Sequence, residues 1–153
     1  MLKMLELKVP PLIVTLIFGF LMWTVSILIS FNYGHYFFKS ASCLVFLVGL
    51  VIALVAVLKF RKEDTTVDPR DPTKSERLVV TGVYRYTRNP MYLSFLLFLV
   101  SYGLFLGNLA NLISLLLFIL YMNLYQIKPE EKILLAKFQS SYRVYMQTVR
   151  RWL

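Results

Sequence analysis

NPMYLSFLLFLVSYGLFLGNLANLISLLLFILYMNLYQI, residues 89–127, decides how this chain folds. Two apolar runs, Met91 to about Leu106 and about Leu109 to Ile127, contain no charged side chain and flank Gly107–Asn108. A helix needs about 20 apolar residues to cross the hydrocarbon core of a bilayer. The second run approaches that length and the first is short, but Gly107–Asn108 offers a tight turn between them. Glycine permits the backbone angles of a tight turn, so the stretch predicts a membrane-spanning helical hairpin.

Upstream lie two further apolar runs, Pro11 to about Phe31 and about Ala41 to Leu58. Lys3 and Lys8 precede the first, as in a signal peptide. Its length exceeds a signal core and no small-residue cleavage site follows closely, so it is expected to be a retained anchor. The whole chain is 58% hydrophobic with a mean hydropathy of +0.65 and only 16% charged residues. That is too apolar for a soluble domain of 153 residues. The fold class expected is an all-α integral membrane protein. It has four transmembrane helices, at about 11–31, 41–58, 91–106 and 109–127, in a single membrane domain covering 1–153.

The net charge of +9 suits nucleic acid or an anionic membrane surface. Basic residues set between membrane-length apolar runs favour the membrane, and no nucleic-acid partner is expected. Their distribution also orients the spans. Two basic residues precede span one, eight fall in the loop 59–90, six follow span four, and Lys39 alone lies on the other side. The positive-inside rule then puts both termini and the central loop in the cytoplasm. His35, on the opposite side, has no Cys, Asp or Glu nearby, and Cys43 has no partner. No metal site is expected.

The central loop divides. Residues 61–76, RKEDTTVDPRDPTKSE, have the composition of a solvated linker. Residues 77–90 carry Leu78, Val79, Val80, Val83, Tyr84 and Tyr86 and are expected to pack. After span four, Leu135, Phe138, Tyr142, Tyr145, Val149 and Trp152 recur at steps of three and four. That predicts a cytoplasmic amphipathic tail helix over 129–152. It lies on the membrane lipids, closes a site, or does both.

Chemistry gathers where the hairpin begins and ends. Asn89 is a preferred N-cap, and Pro90 suits the first helical position. A helix start offers unpaired N–H groups and a positive dipole end to an anion. Arg85, Arg88, Tyr84, Tyr86 and Tyr92 crowd the same nine positions. Arginine and tyrosine also anchor membrane interfaces, so the cluster alone leaves both readings open. The hairpin should return Glu130 and Glu131 to the level of Arg88 and Asn89. Asn123 and Gln126 precede Glu130 at helical spacing, which makes a polar stripe if the helix runs through Pro129. The two acids also suit the dipole of a new helix.

The blocks VTGVYRYTRNPMY and EEKILLAKFQSSYRVYMQTVRRW, separated by an apolar hairpin, resemble the isoprenylcysteine carboxyl methyltransferase family. Its wider group includes the membrane phospholipid N-methyltransferases. The resemblance covers residues 77–153. It rests on Gly82, Tyr84, Arg88, Asn89, Pro90 and Tyr92, then Glu130 and Glu131, then Phe138, Tyr142 and Tyr145. It implies S-adenosylmethionine as cofactor, held by the first two of these blocks. It also implies that Arg88 and Glu131 organise the reacting end, and that the acceptor is lipidic or amphiphilic. An isoprenylcysteine-like carboxylate and a lipid amine are both in range. Two departures stand out. Asn89 replaces the family's histidine and cannot titrate near neutral pH. Gln139-Ser140-Ser141 replaces a glycine and acids.

Two other readings compete. Steroid-type reductases have a loosely similar C-terminal half and use NADPH, whose 2′-phosphate needs a dedicated cationic pocket. A non-catalytic four-helix subunit would tolerate changes at Arg88 and Glu131. The sequence leaves homo-oligomerisation open.

Overall fold

A computed structural model describes residues 6–29, 36–62 and 78–153, without the side chain of Tyr36. His35, the end of the first expected span and most of the expected linker lie outside them. Among the described residues the fold is all-helical. The long helices are α1 (Pro11–Leu28), α2 (Tyr36–Lys62), α3 (Pro90–Leu106), α4 (Asn111–Tyr121) and α5 (Lys128–Thr148). A 3₁₀ turn spans Gly82–Arg85, and a π-helical segment, Met122–Ile127, joins α4 to α5.

Among the described residues, three helical stretches are long and apolar enough to cross a membrane: Pro11–Leu28, Phe37–Lys62 and Asn111–Thr148. The fourth, Pro90–Leu106, is shorter. Its 17 residues extend about 25 Å, close to the core thickness. Helix α3 is the central one: α2 packs most extensively on it, and α1 and α4 also touch it. Leu16, Phe20, Leu47, Val51, Leu112 and Leu116 point outward and are exposed. An apolar surface of that extent belongs against lipid rather than water.

The hairpin turn follows its residues. Gly107 caps α3 at φ 65, a left-handed conformation that a side chain disfavours. The buried side chain of Asn108 accepts from the Ala110 N–H and donates to the Ile29 carbonyl at the end of α1. Within the bundle, Ser101 donates to the Ser42 carbonyl, and Asn111 to Ser26. These polar contacts tie the end of the bundle opposite the charged site.

Helix α4 does not stop where the apolar run does. It continues through the π segment and Pro129 into α5 as one rod. Pro129 has no N–H to give to the carbonyl four residues back, that of Tyr125. That carbonyl instead accepts the Leu7 N–H at 3.0 Å, so the residues before α1 are stitched to this end. The expected tail helix 129–152 needs correction at its C-terminal end: α5 closes at Thr148, Val149 is extended, and residues 149–153 form a non-helical strap. The helix also breaks at Gln139 (φ 44, ψ −115). The tail's apolar residues on both sides of the break pack on the loop. Leu135, Phe138, Tyr142, Tyr145 and Val149 pack with Ala56, Val79 and Tyr84, while Trp152 reaches the other core with Tyr92 and Ile127.

Candidate functional site

The site lies where the start of α3, the start of α5 and the strap meet. Gly82 opens the 3₁₀ turn at φ 67. The turn buries Tyr84, whose ring meets Phe60 edge-on and whose carbonyl accepts the Tyr145 hydroxyl at 2.6 Å. Tyr84 is therefore a strut between loop and tail rather than an open ring face. Tyr86 beside it is 75% exposed.

Pro90 begins α3, but Asn89 makes no side-chain cap. Its amide donates instead to the Arg151 carbonyl at 2.9 Å, and its own N–H donates to Thr87 Oγ1. The strap explains the change. Arg88 N–H donates to the Arg150 carbonyl, and the Thr87 hydroxyl to the Arg151 carbonyl. The backbone of residues 150–151 thus lies along residues 87–89, and the asparagine amide turns toward it.

Arg88 and Glu131 meet at 2.8 Å with side chains 8% and 10% exposed. Arg88 Nη1 donates to the Met146 carbonyl, while its Nε is buried without an acceptor. Arg151 also grips Glu131, through Nε at 3.0 Å and Nη2 at 2.7 Å, one bond to each carboxylate oxygen. Glu131 is thus shared by two guanidinium groups. The Glu131 hydrogen bond holds the Arg151 proton more firmly than usual.

Glu130 faces the other way. The Tyr92 hydroxyl donates to its Oε2 at 2.8 Å. Glu130 lies beyond Ile127, where the apolar run ends. Burial pushes its carboxyl up to about 7, against the Tyr92 hydrogen bond that lowers it and with a smaller push from Glu131. A carboxyl shifted to this range can take up or release a proton near pH 7. Below it, Asn123 Oδ1 accepts the Trp152 indole N–H, and Gln126 donates to the Val9 carbonyl. A π segment carries these residues, a distortion often found at functional sites.

Hydrogen bonds thus join four of the expected residues in two pairs, Arg88 with Glu131 and Tyr92 with Glu130. Arg88, Asn89, Tyr92, Glu130 and Glu131 make the polar cluster; Gly82, Tyr84 and Pro90 shape its frame. Sequence reasoning missed Thr87 and Arg151. The signal for Arg151 was its place in the Arg150-Arg151-Trp152 run, on a tail with only two acids to pair with.

Comparison with known proteins adds three findings. A family model described as "Phospholipid methyltransferase" matches residues 37–141. An uncharacterized protein of Haemophilus influenzae is 49% identical over 63 residues, which is 41% of this chain and the whole of that protein. No solved structure matches the chain.

Proposed function

The chain belongs to the phospholipid methyltransferase family, and on that premise we propose that it transfers a methyl group from S-adenosylmethionine to a lipidic or amphiphilic acceptor at the cytoplasmic face of the membrane. The observation that carries the proposal is the buried Arg88–Glu131 pair, which joins the two motif blocks across the hairpin. When bound, S-adenosylmethionine supplies an electrophilic methyl group on a sulfonium. The residues present suit such a group. The buried Arg88 Nε lacks an acceptor, which leaves room for a ligand oxygen. Glu131 is shared by two guanidiniums, so the cluster offers both a cation for a ligand carboxylate and a carboxylate for a ligand ammonium.

Arg88, Asn89 and Tyr92 at the start of α3, with Glu130 and Glu131 facing them, would hold the amino-acid end and ribose. Gly82, Tyr84 and Pro90 fix the backbone that presents them. In-line displacement needs alignment and exclusion of water. Tyr145 and the strap close the site from the tail side. Arg88 and Glu131, locked against each other, organise the reacting end. Glu130 is the group placed to accept a proton, at Oε2, should the acceptor arrive as an ammonium.

The acceptor classes are a lipid amine and an isoprenylcysteine-like carboxylate. A groove of about 460 Å³ between α1 and α3, bordered by Gly19, Trp23, Phe98 and Tyr102, offers apolar room beside the bundle. Purified protein in lipid nanodiscs, given methyl-labelled S-adenosylmethionine and a total lipid extract, should place label in the lipid phase. Base-labile label identifies a carboxyl ester and base-stable label an amine. No label in lipid, lipopeptide or lipid-amine fractions from folded protein would refute the activity.

A further inference from the structure

The two arginines on Glu131 are not equivalent. Arg88 is buried, and the backbone of Met146 holds its second nitrogen. Arg151 has a side chain 31% exposed and stands on the strap at the rim of the cluster. Its fork on the carboxylate is the two-bond geometry that a guanidinium offers to any carboxylate. An ion pair with one partner this exposed contributes little, so its exchange for an equivalent pair is cheap. Removing Arg88 from Glu131 would instead strand a buried charge.

The amino-acid end of S-adenosylmethionine carries a carboxylate and an ammonium on one carbon. Inserted between Arg151 and Glu131, it matches both: carboxylate to guanidinium, ammonium to carboxylate. Every charge paired before insertion is paired after it, and Arg88 keeps Glu131 in place throughout. We propose that Arg151 is a cofactor-binding residue, which exchanges its contact with Glu131 for the cofactor's carboxylate and leaves Glu131 to take the ammonium. This rests on the methyltransferase reading above. It also gives the strap a role. Its backbone bonds to residues 87–89 hold Arg151 at the rim, where the side chain can swing without the chain leaving the site.

The test uses three ligands and equilibrium binding to the detergent-purified full chain. S-adenosylhomocysteine has both charged groups, its decarboxylated form keeps only the amine, and 5′-methylthioadenosine has neither. Wild type should bind S-adenosylhomocysteine about 10- to 100-fold more tightly than the decarboxylated form, the worth of one charge-assisted contact. Arg151→Gln should erase that preference and leave 5′-methylthioadenosine binding unchanged. Arg151→Lys should restore part of it, while Arg143→Gln, at an exposed position on α5, should keep it whole. Equal binding of the first two ligands by wild type overturns the proposal without needing any variant. So does a preference that survives in Arg151→Gln. Binding of none of the three by folded wild type overturns the cofactor reading itself.

Discussion

Substituting Glu131 by glutamine removes the one anion that two guanidiniums share, and keeps the side chain's size. Arg88, with an 8% exposed side chain, is then a buried cation whose Nε already lacks an acceptor. Breaking a buried ion pair from one side costs about 3–5 kcal/mol. Arg151→Gln removes a guanidinium that is 31% exposed and leaves Glu131 still paired with Arg88, so its cost should be about 1 kcal/mol or less. Reversible unfolding in sodium dodecyl sulfate, followed by circular dichroism, measures both. The prediction is therefore an ordering, Glu131→Gln well below Arg151→Gln and wild type. Adding Arg88→Met to Glu131→Gln should recover much of the loss, because an apolar side chain of similar length removes the stranded charge. Equal effects of the two single substitutions, or no recovery in the double variant, would refute the assignment of Glu131 as the buried hub.

Three further predictions follow from other parts of the molecule. Glu130 has a carboxyl raised from 4.5 to about 7 in the fold. Its stabilising, protonated form is fully present below about pH 4.5 and lost as pH rises through about 7, a change of about 3 kcal/mol. Unfolding at pH 5 and pH 8 should show that loss in wild type and a flatter profile in Glu130→Gln. Gln139 holds a positive φ, so Gln139→Gly should raise stability by about 1 kcal/mol, and a decrease in the same assay would contradict the strain. Ser101→Ala removes the bond to the Ser42 carbonyl; at about 0.6 kcal/mol, the average for such contacts between membrane helices, it should be near the detection limit, and a loss as large as that of Glu131→Gln would overturn the ranking.

The hairpin was legible because its signal is local. Two uncharged apolar runs around Gly107–Asn108 leave few alternatives, and Pro90 marks the start of α3 by its own chemistry. The meeting of Arg88 with Glu131, and of Tyr92 with Glu130, follows from the antiparallel return of a hairpin, so the sequence already implied proximity. Asn89 was legible as a helix boundary but not as to its bond. That bond depends on a strap more than sixty residues away, which competes for the same amide. The strap itself was hidden by periodicity, because Val149 and Trp152 continue the apolar spacing of the tail although the helix has ended at Thr148. The π segment was equally invisible. It reflects Pro129 in a continuous rod and the Leu7 N–H that fills the vacated carbonyl, a contact with no local signature. Gln139 stands where the resemblance expects glycine, and the positive φ there supplies the physical reason for a glycine.

The measurement that bears most directly on the central claim is calorimetric titration of S-adenosylhomocysteine into the detergent-purified protein, with Arg88→Ala alongside. The account predicts saturable binding in the micromolar range, weakened in the variant. No heat of binding from a wild-type protein shown to be folded by circular dichroism would contradict it.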